Sequence, residues 1–303
     1  MAPKRYRSRI LAGAAVTAVA TVAVGVGIGT ADASTRPSPG IRHQQLAPTA
    51  STKPTATSGT KAASWAPPPA NAAFDYQIGG PYTPPAGVTV VSRDHDASPA
   101  AGLYNVCYVN AFQAQTEDAS WWKTNHSDLL LHDANGNLVI DKDWNEILLD
   151  YSTAAKRAGL TAIVGGWIDQ CAGKGFQGVE PDNLDSYTRS KSLLTESEAV
   201  AYAASLSAYA HGKGLAIAQK NDADLSTADA KKAGFDFAVA EECADYDECQ
   251  NYTATYGNHV IVIEYSQSRF TKACTSYGST LSIVLRDVDV TTPGSGSYVF
   301  KTC

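Results

Sequence analysis

Eight short runs rich in Val, Ile, Tyr and Phe, each closing on polar residues, recur along the chain from residue 74 onward. They span residues 74–78, 88–92, 104–110, 176–180, 215–219, 235–240, 260–265 and 281–286. Helix-like stretches separate the later runs, at 144–158, 195–211, 225–232, 248–256 and 269–277, with Gly212, Gly214 and Gly234 standing where helices should end. Strands alternating with helices, with near-continuous apolar interiors, predict an α/β fold, a parallel (β/α)8 barrel of the TIM type. The first three strands break the alternation. Only residues 79–87 and 93–103 lie between them, both stretches carrying Pro and Gly and both too short for ordinary helices, so the barrel is expected to be irregular there. Residues 111–143 form a long insertion, and its segment 129–140 reads as a hairpin turning at Asn135-Gly136. Insertions that follow barrel strands rise over the catalytic face, which makes this one an expected wall of a substrate groove.

The residues before the barrel have a different character. A basic stretch with Lys4, Arg5, Arg7 and Arg9 leads into an apolar run and then Ala31-Asp32-Ala33, which predicts a cleavable export signal over 1–33; an uncleaved anchor is the alternative. Residues 34–70 are dominated by Ser, Thr, Ala and Pro and are expected to be a disordered linker, since they hold too little apolar surface to offset ordering entropy. The domain is then 71–303, expected to be extracellular, free of the membrane after signal cleavage, and monomeric. The whole chain carries a net charge of -6, but residues 1–70 are basic, so the domain itself stands at -13. That balance excludes a nucleic-acid footprint and favours a cationic partner. All six cysteines lie in the domain, and an oxidising compartment makes three disulfides the expectation. Of the fifteen possible pairings, Cys243–Cys249 is favoured by closeness in sequence and Cys274–Cys303 by pinning the terminus, leaving Cys107–Cys171. No paired CxxC or nearby His supports a zinc site instead, and neither metal nor cofactor is expected.

In a parallel barrel the strand C-termini converge on one mouth. The residues expected there are polar: Gln77, Asp94, Asn110, Glu180, Asp182, Asn183, Asp185, Lys220, Asn221, Glu241, Glu242, Glu264, Tyr265, Arg286 and Asp287. Several are carboxylates, and glycoside hydrolysis needs two of them flanking the scissile bond, one protonated and one ionised. Each cluster also has a plainer reading. The Asp/Asn/Asp residues after Pro181 suit a turn or a calcium loop, and Glu241-Glu242 suits the dipole of a following helix. Trp121, Trp122, Trp144 and Trp167 suit either sugar stacking or the core, with Trp121-Trp122 the better placed for substrate.

Four motifs in order carry a more specific signal: Gly178-Val179-Glu180-Pro181-Asp182-Asn183-Leu184-Asp185; Gln219-Lys220-Asn221; Ala240-Glu241-Glu242-Cys243 with Tyr246 and Cys249; and Ile263-Glu264-Tyr265. Together they resemble glycoside hydrolase family 114, the endo-α-1,4-polygalactosaminidases, over essentially all of 74–303. The resemblance implies a barrel that hydrolyses α-1,4-linked galactosamine-rich polysaccharide internally, with Asp182 and Glu241 as the catalytic pair. Where the family often has Asn-Glu-Gln-Cys, this chain has Ala240-Glu241-Glu242-Cys243, so Glu241 and Glu242 both stand as the acid. The partner expected is a cationic or partly acetylated polysaccharide, which suits an acidic domain. Two rivals remain: a barrel that binds polysaccharide without cleaving it, and a metal-dependent deacetylase, for which only Arg93-Asp94-His95-Asp96 offers ligand types.

Overall fold

The computed structural model describes residues 64–303; the expected signal over 1–33 and most of the expected linker lie outside the described residues. In chain order the elements are β1 (Phe74–Tyr76), β2 (Val90–Asp94), β3 (Tyr104–Asn110), β4 (Gln113–Ala114), α1 (Ala119–Asn125), β5 (Ile140–Asp141), β6 (Glu146–Leu148), α2 (Ala154–Lys174), β7 (Gly178–Asp182), α3 (Glu196–Gly212), β8 (Ala216–Lys220), α4 (Thr227–Ala233), β9 (Phe237–Glu241), α5 (Cys249–Tyr256), β10 (Val260–Glu264), α6 (Gln267–Tyr277), β11 (Ser282–Arg286) and β12 (Phe300–Thr302). The main sheet runs β1-β2-β3-β7-β8-β9-β10-β11-β12, parallel except for β12, which returns antiparallel along β11. β1 meets β11 through side chains, with the Ala72 amide donating to Ser282 Oγ at 2.9 Å and Arg286 pairing with Asp75 at 3.2 Å. The result is a nearly closed barrel, and its eight parallel strands are the eight that the hydrophobic pattern predicts.

Among the described residues no helix falls between β1 and β2 or between β2 and β3, as the short connections require. A cavity of about 620 Å³ opens there, lined by Tyr82, Pro84, Arg93, Pro99 and Leu103.

One predicted helix is wrong. Residues 144–145 are a turn and Glu146–Leu148 belongs to a small antiparallel sheet, β4-β6-β5, because the run Ile147-Leu148-Leu149 pairs with residues 113–114 and 130. The helix begins only after Thr153, whose hydroxyl accepts from the Lys156 amide, and it continues to a left-handed Gly175. The expected hairpin turns at Asn135-Gly136, with His132 bridged to Leu138. Its Leu130, Leu131 and Val139 are buried in the core, so this hairpin is packing, and the strand facing the groove is β6.

All three disulfides have the favoured pairing, Cys107–Cys171, Cys243–Cys249 and Cys274–Cys303. Residues 65–70, assigned to the linker by composition, dock across the base of the barrel. Trp65 stacks on His211 at 3.9 Å and donates to Asp236 at 3.0 Å, just before β9. The Ala66 carbonyl accepts from Tyr104 at the start of β3, and that of Pro68 lies 3.0 Å from His259 Nδ1, just before β10.

Candidate active site

Side chains alternate across a strand, and their parity is already set low in the barrel. Ala216, Ala218, Phe237, Val239, Ile261 and Ile263 pack together in the interior, whereas Ile217, Ala238, Ala240, Val260 and Val262 pack toward the helices. Continued by twos, the pattern brings Lys220, Glu241 and Tyr265 to the mouth and sends Gln219 and Glu264 to the helix side. On β7, Val179 packs outward, so Glu180 and Asp182 face in.

Lys220 is the hub. Its side chain is 2% exposed, and Nζ lies 3.0 Å from Asp182 Oδ1, 3.2 Å from Glu180 Oε1 and 3.3 Å from Glu241 Oε2. Burial works against its charge, but the three carboxylates outweigh burial and hold its pKa well above the usual lysine value. Tyr108 donates to Asp182 Oδ2 at 2.7 Å and the Asn183 amide donates to Oδ1 at 2.9 Å. Burial pushes the Asp182 carboxyl up, yet Lys220 and these donors prevail and keep it below the ordinary aspartate value. Glu241 is held at three points: Asn221 Nδ2 donates to Oε2 at 2.9 Å, Tyr265 donates to Oε1, and the Glu241 amide donates to Asn221 Oδ1 at 2.8 Å.

Each of these strands ends in a left-handed turn, with Asn183 at φ 67°, Asn221 at 52° and Glu242 at 56°. Asn accepts this region readily, and Glu does so at a cost. The turns leave Asp182, Lys220 and Glu241 as the last interior side chains of their strands.

Several residues expected to touch substrate lie elsewhere. Glu180 is fully buried under the mouth, accepting from Tyr76 at 2.8 Å and Ser92 at 2.7 Å; it supports Lys220 from below. Gln77 and Arg286 are also fully buried, tied to Asp75 beside the seam between β1 and β11. Asp287 accepts the amides of Thr291 and Val299 and holds the loop before β12. Glu264 faces the helix layer and accepts from the Ala244 amide at 2.9 Å. Glu242 is half-buried, its pKa raised by burial and then by Glu241 and Asp245. Asp185 is paired with Arg189 at 2.8 Å, and Asp94 accepts from the Asp96 amide in its own loop. Asp94, His95 and Asp96 bring ligand-type atoms within 4.8 Å of one another, but the His95 ring stacks on Trp167. Of the expected stacking pair, Trp122 is buried and only Trp121 is exposed.

Asn110 does reach the mouth, and with it comes a residue that the sequence reading missed. Glu146 of β6 accepts from Asn110 Nδ2 at 2.9 Å and Asn183 Nδ2 at 3.5 Å, bringing its carboxyl next to Asp182. Its assignment to a helix hid it; the β-type run Glu146-Ile147-Leu148-Leu149 was the available signal. Trp144, two residues earlier, is 63% exposed.

The model of glycoside-hydrolase family GH114 matches residues 54–303. Among solved structures, Ega3 of Aspergillus fumigatus in complex with galactosamine is 24% identical with a TM-score of 0.64, covering 80% of this chain and 98% of its own. The glycoside hydrolase domain of PelA from Pseudomonas aeruginosa is 14% identical with a TM-score of 0.51, covering 76% of this chain and 97% of its own. At these identities the two likenesses concern the fold. No curated protein matches the chain.

Proposed function

The chain belongs to glycoside-hydrolase family GH114, and on that premise we propose that it cleaves α-1,4-linked galactosamine-rich polysaccharide internally, with Asp182 and Glu241 as the working pair. The observation that carries this reading is the contact of both carboxylates with one buried ammonium group. Both contacts are made to Lys220 Nζ, so the nearest oxygens of Asp182 and Glu241 are at most about 6.3 Å apart, a bound that admits the roughly 5–5.5 Å of retaining pairs. A retaining reaction fits that spacing.

Asp182, kept ionised by Lys220 and Tyr108, attacks the anomeric carbon while Glu241 protonates the departing glycosidic oxygen. Formation of the ester removes the Asp182 charge beside Lys220. Glu241, left as the carboxylate once it has protonated the leaving oxygen, takes a proton from water as the water hydrolyses the ester. Tyr265 and Asn221 hold Glu241 in place through both steps.

The substrate class rests on three supports: the acidity of the domain, the galactosamine bound by Ega3, and the family itself. The three disulfides and the expected signal support secretion, and among the described residues no helix is long and apolar enough to cross a membrane. Reducing-end release from polygalactosamine, galactosaminogalactan and chitosan, compared side by side, tests the reading. Release from the first two is expected. Activity on chitosan alone overturns the linkage assignment, and a first product of inverted anomeric configuration in NMR overturns the role of Asp182 as nucleophile.

A further inference from the structure

From the position of Glu146 we infer that this side chain recognises the free ammonium group of the sugar under attack, and so makes the enzyme selective for deacetylated over N-acetylated units. The inference rests on the galactosaminide reading above and adds a residue to it.

Asn110 and Asp182 are register partners on neighbouring strands, and Glu146 Oε2 is hydrogen-bonded to Asn110 while also reaching Asn183. The carboxyl therefore sits one side chain away from the proposed nucleophile. A 2-amino sugar carries its nitrogen on the carbon bonded to the anomeric carbon. An anomeric carbon poised over Asp182 brings that nitrogen to the rim of the same carboxylate, where Glu146 stands.

The charges nearby single Glu146 out. Asp182 is matched by Lys220 at 3.0 Å. Asp141 and Asp185 share Arg189, at 2.7 Å and 2.8 Å. Among the described residues Glu146 receives only the neutral amides of Asn110 and Asn183, both on Oε2. Its carboxyl is pushed up to about 7, first by burial, against the opposing bond from Asn110 and with added repulsion from Asp182. An ammonium group arriving at Oε1 relieves both the burial and the repulsion. N-acetylation removes that charge and puts an apolar methyl group in its place.

Nothing in the sequence pattern of the barrel itself supplies this group. It is delivered by the turn between β5 and β6, where Asn145 is left-handed at φ 57° and exposed Trp144 stands at the tip. The insertion thus contributes a charge to the mouth that the strand ends do not.

The test compares wild type with Glu146→Gln on polygalactosamine and on the same polymer after chemical N-acetylation. Gln keeps the bond from Asn110 and loses the charge. The ratio of kcat/KM for the deacetylated over the acetylated polymer is expected to fall roughly 10- to 100-fold in the variant, the range of a lost hydrogen bond to a charged partner. Glu146→Asp, which keeps the charge on a shorter arm, is expected to retain part of the ratio. Equal proportional losses on both polymers, with an unchanged melting temperature, overturn the ammonium contact alone. A wild-type enzyme that opens neither polymer overturns the galactosaminide reading and this inference with it.

Discussion

Glu241 and Glu242 share a peptide bond and keep different company. Glu241 ends β9 on the inward parity of Phe237 and Val239, and Glu242 stands past the strand in a left-handed turn, with Glu241 and Asp245 as its acidic neighbours. Only the first carboxylate meets Lys220, Asn221 and Tyr265. Glu241→Gln is therefore expected to lower kcat by roughly 10²- to 10⁴-fold, the usual contribution of a general acid, and Asp182→Asn by at least as much. Glu242→Gln should change kcat by less than about threefold, since a half-buried side chain outside the mouth loses only local packing. Kinetics of the three variants at matched folding, checked by circular dichroism, decide the matter. Loss of turnover in Glu242→Gln with normal turnover in Glu241→Gln sinks the assignment.

Lys220 is the counter-charge that lets three carboxylates share so small a volume. Lys220→Gln removes the cation that holds the Asp182 carboxyl down, so its pKa must rise and the acidic limb of the kcat/KM profile must move to higher pH. Activity at the optimum should fall at least tenfold. Breaking a buried ion cluster also costs about 3–5 kcal/mol, so melting temperature should be read in parallel. An acidic limb that stays put while the melting temperature drops reduces Lys220 to a packing residue.

Glu264 gives a pH dependence of stability rather than of rate. It is 0% exposed, Oε1 takes the Ala244 amide, and Oε2 has no partner among the described residues. Burial, partly offset by the Ala244 bond and reinforced by Glu242, pushes the carboxyl up to about 7. A folded pKa above the unfolded value of about 4.3 makes the proton bind more tightly in the native state. Its contribution is fully present below about 4.3 and is lost as pH rises through about 7. Glu264→Gln copies the protonated form, so the stability of the variant relative to wild type should rise from pH 5 to pH 8 in chemical denaturation. A difference that is constant over that range contradicts the shift.

The disulfides should separate stability from activity. Cys107–Cys171 closes 64 residues and Cys243–Cys249 closes 6, so chain entropy assigns them about 4 and about 2 kcal/mol respectively. The double Ala variant of the first pair should lose more melting temperature. The small loop directly follows Glu241 and is held by Glu264, so the variant of the second pair should lose more kcat for each degree of melting temperature. The reverse order in both readouts would contradict this division.

The barrel was legible in the sequence because a parallel strand buried on both faces reads as an unbroken apolar run whose last polar residue marks the mouth. Parity was harder to see, since such a run does not alternate in polarity. Glu264 therefore looked like a mouth residue although it faces the helix layer, and Glu180, Gln77 and Arg286 looked so although each is fully buried among local partners, Glu180 beneath the mouth. Glu146 escaped for the opposite reason. Trp144 through Ala158 is compatible with a helix, and only pairing with Gln113–Ala114, distant in sequence, makes part of it a strand. Residues 65–70 look like linker by composition because Pro and Ala dominate them, and a single Trp stack with a few carbonyl contacts is enough to seat them.

That seating fixes a direction. The chain reaches the barrel at the ends where β3, β9 and β10 begin, and β12 descends antiparallel along β11 toward the same end before Cys303 joins Cys274. The acidic opening is at the other pole. A tag, a tether or a cell surface joined through residue 65 or through the last residue grips the protein by its floor and leaves the opening turned outward. On the proposed reading, a long polymer can then lie across that opening and be cut in mid-chain, with neither attachment point standing in its path.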